Sequence, residues 1–149
     1  MVYYIFVGVL FLYCSVQDIR RKEISNIGLL AGMGIVVLLL LLDGMITGNL
    51  FSAEALLWKK IWGLLPGICV WIVSYVTRGA IGKGDGYLLC VSGLALGVEA
   101  NLAILLYGLL AAGLCSAVLL VLRKVKRKTK LPFVPFLCGG YLMLLIQFL

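Results

Sequence analysis

Six apolar runs, at roughly 2–17, 27–42, 61–77, 86–99, 102–122 and 132–149, are separated by short polar links. That layout limits the fold more than any single residue does. Hydrophobic residues make up 64% of the 149, and the mean hydropathy is +1.17; a soluble domain is nearer half apolar. A core of this size cannot hide so much apolar surface from water, so the expected solvent is lipid. Lipid admits only helices or closed barrels, because every backbone polar group needs an internal partner. The runs lack the strict alternation of barrel strands, so helices are expected. A hydrocarbon core takes about 20 helical residues, with a range of about 17–25. The shorter runs must be completed by flanking residues or met by a thinner bilayer. The expected fold is all-α: one polytopic membrane domain over 1–149 with six transmembrane helices. The first run lacks a positive n-region and a small-residue cleavage site, so it is expected to be a retained helix and not a signal peptide.

The charges orient the chain. Arg20, Arg21, Lys22, Arg78, Lys83 and the six basic residues of RKVKRKTK (123–130) fall in the links 18–26, 78–85 and 123–131. The alternate links, 43–60 and 100–101, hold only Lys59 and Lys60. Basic residues gather in cytoplasmic loops, so both termini are expected outside and the three basic links in the cytoplasm. The net charge of +7 therefore follows membrane topology, and no nucleic acid is expected as a partner. The five cysteines lie in apolar runs with no CxxC, which fits small buried hydrophobes. With no histidine, the commonest metal ligand and general base is missing, and no metal or other cofactor is expected.

Several local features add detail. Ser52, Glu54 and the apolar residues of LFSAEALLWKK (50–60) predict a short interfacial helix before the third span. Pro66 predicts a kink there, or the end of a first segment. The pairs Gly28/Gly32, Gly63/Gly67, Gly82/Gly86 and Gly93/Gly97 have the spacing that lets helices approach closely.

An ionisable residue at helix depth is a functional candidate by default. Asp43 and Glu54 fall in the outer link, Glu99 falls at the outer end of the fourth helix, and Glu23 sits among RRK; each can be solvated or paired at the surface. Asp18 ends the first helix and Asp85 begins the fourth, both on the cytoplasmic side. Two facing carboxylates in a low-dielectric site share a proton, which provides a base and an acid at one pH. The base can draw a proton from water as that water attacks a peptide carbonyl. Gly82, Gly84 and Gly86 flank Lys83 and Asp85; without a Cβ this bend can adopt positive φ and admit an extended peptide. The bland alternative is an inter-helix turn in which Asp85 caps a helix.

Three stretches together resemble the type IV prepilin peptidase branch of the membrane aspartic proteases. GKGD (82–85) resembles the GxGD motif. DIRRKEISN (18–26) resembles the first catalytic segment, and LPFVPFLCGG (131–140) the entry to the last helix. The resemblance implies Asp18 and Asp85 as the catalytic pair. It implies Gly82, Lys83, Gly84 and Gly86 in the active-site loop and Asn26 in support of the first segment. It further implies cleavage of basic leaders from pilin-like precursors, at the cytoplasmic face of the bacterial cytoplasmic membrane. Gln17 stands where presenilin-like relatives carry tyrosine, Ser25 where the prepilin branch has proline, and Gly86-Tyr87-Leu88 where many relatives have Val-Lys-Leu. The small size is similar to the Tad/Flp-type enzymes, without the cysteine-paired domain that accompanies methyltransferase activity. The alternative from another class is a proton-coupled transporter subunit with the two aspartates as relays.

Overall fold

A computed structural model of the chain describes residues 2–21, 26–46, 58, 60–77, 82–122 and 132–148. Among them are six helices and no strand: α1 (Val2–Arg21), α2 (Asn26–Ile46), α3 (Leu64–Val76), α4 (Lys83–Leu96), α5 (Val98–Val121) and α6 (Val134–Phe148). Each expected run has its helix. The interfacial helix expected over 50–60 lies outside the described residues, apart from Trp58 and Lys60, as does Ser25.

α4 sits at the centre, packing against α1, α2, α3 and α5. Its 14 residues rise only about 21 Å, less than a hydrocarbon core of roughly 30 Å. Because other helices surround it, its ends can stay inside the protein. Two helical stretches, Val2–Arg20 and Val98–Val121, are long and apolar enough to cross a membrane; Gly28–Leu42, Lys60–Val76 and Val134–Gln147 are shorter apolar helices. The outer surface exposes Leu30, Leu41, Tyr75, Val76, Leu114, Val121 and Ile146. An apolar surface that extensive suits a lipid surround.

Two helix boundaries differ from the sequence expectation. The break between the fourth and fifth helices falls at Gly97 and not at 100–101: Gly97 has φ 90° and ψ 174°, and its N–H bonds the carbonyl of Gly93 at 2.8 Å. A side chain is strained at such a backbone angle, so glycine sets the corner. Glu99 accordingly lies in the first turn of α5, not at the end of the helix before it. In the third run the helix is interrupted at Gly63, whose N–H bonds Lys60 O at 3.0 Å. Pro66, which has no N–H to give the carbonyl four residues back, then sits in the first turn of α3, where proline is tolerated.

Glycines bring α3 and α4 into backbone contact; of the four expected pairs, Gly63/Gly67 meets α4 with both members, whereas Gly82/Gly86 and Gly93/Gly97 do so with one. Gly63 faces Gly93 so closely that a Cβ on either would meet the other's carbonyl oxygen; a Cβ on Gly67 would come within 2.5 Å of the Cys90 nitrogen, and one on Gly86 within 3.0 Å of Trp71. Gly82 and Gly97 take no part in this contact. Gly32 packs on Leu10, whereas Gly28 has only ordinary contact with Tyr13. Of the cysteines, all free, Cys14 and Cys138 are buried, Cys90 and Cys115 are half-buried, and Cys69 is exposed.

Candidate active site

Along α1, the buried residues Val7, Phe11, Cys14 and Asp18 follow one another at steps of four, three and four, which is the period of one helix face. Asp18 thus ends the same stripe that packs the helix, and a carboxylate takes the place of another apolar contact. It is 9% exposed. Asp85 is the third residue of α4, in its first turn, and is 5% exposed. The Asp85 N–H bonds Gly82 O at 3.2 Å, and a Cβ at Gly82 would stand 3.1 Å from Asp85 Oδ2. The carboxylate therefore folds back over the residue that precedes the helix, as the third-position acid of a capping box does.

The two acids interact. Asp85 lies ahead of the apolar run 86–99. Burial pushes its carboxyl up to about 7, the charge of Asp18 adds in the same direction, and a backbone hydrogen bond from Gly82 opposes them. Desolvation and a like charge both penalise the ionised form. One member of such a pair keeps a proton near neutrality while the other can accept one.

The remaining candidates are distributed around this pair. Gly82 precedes α4 with φ −62° and ψ 131°, and it is exposed. Lys83 is the exposed first residue of the helix, and Gly84 is half-buried in the next position. Gly86 is buried against Trp71 of α3. The expected glycine bend with positive φ is not seen: Gly84 and Gly86 are helical and Gly82 has an ordinary negative φ. The only glycine with positive φ among the described residues is Gly97, and helix packing already accounts for Gly86. Asn26 opens α2; its side chain lies outside the described residues. Among the described residues no group of three or more His, Cys, Asp or Glu could hold a metal ion.

Sequence reasoning missed two features. One is the start of α6, where the Val134 N–H donates to Asp18 Oδ2 at 3.2 Å in a buried contact. LPFVPFLCGG was singled out only for its resemblance, and no side-chain pattern marks a backbone donor. The other is a buried polar cluster. Asn101 Nδ2 donates to the carbonyls of Gly63, at 2.9 Å, and Leu89, at 2.8 Å. Ser92 Oγ bonds Asn101 Oδ1 at 2.9 Å. The sequence reading placed Asn101 in a link; a lone asparagine in an apolar stretch was the available signal. Beyond Asp85, a groove of about 160 Å³ runs between α2 and α4, lined by Leu29, Leu30, Met33, Tyr87 and Val91.

The sequence profile of the type IV leader peptidase family matches residues 5–121. That stretch contains both aspartates and ends before α6. No curated protein and no solved structure matches the chain.

Proposed function

The chain belongs to the type IV leader peptidase family, and from that premise we propose that it is a membrane aspartic endopeptidase acting through Asp18 and Asp85. The observation that carries this reading is the pair itself: two buried carboxylates on different helices, 67 positions apart in sequence, with the charge of one raising the pKa of the other. Burying two acids is costly unless they are used or paired with cations, and water activation is a use that needs them close. One aspartate accepts a proton from water as its oxygen attacks the scissile carbonyl, and the other donates a proton to the carbonyl oxygen. Collapse of the tetrahedral intermediate returns that proton and passes the first to the leaving amine. A proton-coupled transporter draws no support from a peptidase family.

The substrate class proposed is a pilin-like precursor with a basic leader followed by an apolar helix. Cleavage would be on the cytoplasmic side of a bacterial cytoplasmic membrane, where the charge asymmetry of the links puts both aspartates. The apolar groove between α2 and α4 has Tyr87, two residues beyond Asp85, in its wall, and suits the apolar part of such a substrate. The basic links of the enzyme limit attraction of a basic leader, so recognition rests on shape and backbone contacts.

The test is a cleavage assay in proteoliposomes with a pilin-like precursor. Wild type is expected to shorten it. Asp18→Asn and Asp85→Asn, folded by their melting profiles, are each expected to lose about 10²- to 10⁴-fold in rate, the usual contribution of a positioned acid or base. Full activity in either variant excludes the pair.

A further inference from the structure

We propose that the N-terminus of α6 is a positioning element of the aspartate pair: the Val134 N–H fixes Oδ2 of Asp18, making Asp18 the member that takes the proton from water and Asp85 the member that gives one. This inference rests on the reading of the pair as catalytic and adds a third helix to it.

The first turn of α6 has few donors to offer. The N-cap and the first three residues of a helix have N–H groups without an i→i−4 partner. Here Pro135 has none to offer, and the Phe136 N–H turns back to the Phe133 carbonyl at 3.0 Å, the same oxygen that takes the first regular helix bond, from Leu137, at 3.2 Å. The Val134 N–H is left, and it points to Asp18. Val134 is fully buried, so water does not compete for that donor. The register is held further along: Tyr141 stacks on Phe11 with ring centroids 5.5 Å apart, and its hydroxyl donates to the Tyr4 carbonyl. α6 therefore cannot slide along α1 without breaking these contacts.

The chemistry follows from what each carboxylate oxygen faces. A buried N–H, at the positive end of a helix, favours the charged form of the oxygen it meets. With Oδ2 of Asp18 committed, Oδ1 is left to receive the water proton. Asp85 has the Gly82 backbone hydrogen bond, but burial and the Asp18 charge outweigh it and favour the protonated form. Its proton goes to the substrate carbonyl oxygen as the water oxygen bonds to carbon. On collapse, the intermediate's hydroxyl returns that proton to Asp85, the carbon–nitrogen bond breaks, and the amine takes the proton held by Asp18.

The experiment compares Val134→Pro with Val134→Ala in the full-length protein. Proline at the first helical position preserves a helix start but deletes the N–H; alanine trims the side chain and keeps it. Replacing Val134 by its α-hydroxy acid deletes the N–H with the side chain intact, which covers the case of a proline variant that does not fold. The helices around Asp18 carry Cys14, tyrosines and Arg20 on α1, Asp85, Lys83, Tyr87 and Cys90 on α4, and Cys138 and Tyr141 on α6. Thiols and phenols are ordinarily neutral, and lysine and arginine charged, below about pH 8, so the acidic limb of the rate profile reports the aspartates. The expected result is a kcat reduced about 10- to 100-fold, the worth of a hydrogen bond to a charged group. KM should stay within about twofold, and the acidic limb of kcat/KM should move to higher pH, whereas Val134→Ala, which keeps the N–H, should hold the wild-type pH profile and lose less rate than the ester variant. Wild-type kcat and pH profile in the folded ester or proline variant overturn the proposal, as do equal losses in the alanine and ester variants. Retained cleavage in Asp18→Asn and Asp85→Asn would instead overturn the catalytic reading beneath it.

Discussion

Two buried polar groups in this bundle have opposite designs. At the α3–α4–α5 junction, Asn101 and Ser92 are completely buried, and their contacts tie three helices together: carbonyls of Gly63 and Leu89 receive the amide donors, and the amide oxygen receives the serine hydroxyl. Nothing in that cluster is charged. At the other group, Asp18 and Asp85 bring two acids together, and their surroundings favour a proton on one of them. A satisfied neutral network fixes a structure, whereas a pair of acids that share a proton stores a difference in protonation that a reaction can use. On the function proposed above, the comparison separates a polar group kept for folding from one kept for chemistry.

That contrast can be broken most strongly by pH. The folded state holds a proton on Asp85 up to about pH 7, while an unfolded aspartate loses it near pH 4. Between those values the native state binds more protons than the unfolded one, so stability falls as pH rises. The loss is on the order of 4 kcal/mol across that window. Melting temperatures in detergent measured from pH 4 to 8 should decline for wild type, and Asp85→Asn should remove most of that slope. A slope unchanged by Asp85→Asn would remove the proton from Asp85.

A smaller effect is expected at the neutral cluster. Asn101→Leu removes the amide donor from the buried carbonyls of Gly63 and Leu89 and the amide acceptor from Ser92, which costs about 2–3 kcal/mol. The melting temperature should fall equally at all pH values, while turnover per folded molecule stays near wild type. Lost turnover with an unchanged melting temperature would move Asn101 into the active site. Smallest is Ser92→Ala, at about 1 kcal/mol, because the hydroxyl also has the Leu89 carbonyl at 3.2 Å and its removal leaves the Asn101 oxygen with one partner fewer. Denaturation at neutral pH is the measurement; a loss as large as that of Asn101→Leu would show that the cluster acts as one cooperative unit.

The helices were legible because apolar runs and polar links are a property of composition along the chain. Asp18 and Asp85 stood out as candidates because an acid beside such runs has few structural reasons to be there, and the structure adds that both are buried. What misled was local. GKGDG looks like a bend since glycine permits one, yet the central position of α4 makes helix the better solution: its glycines let α3 approach. Gly97 looked like one more packing glycine, and only its backbone angle shows it to be the corner between α4 and α5. The Asn101 network depends on Gly63 and Leu89, and nothing near Asn101 in sequence identifies them.

The sequence by itself determined the helical character, the family and the two candidate acids, because hydropathy and residue type are carried by each position alone. The tertiary structure decided which helix stands at the centre and which carboxylate stands against a helix N-terminus. It also decided which asparagine holds three helices together. Those are matters of backbone direction and approach between segments as much as 116 positions apart. A backbone N–H is present at nearly every residue, so its meaning arises only when packing aims it.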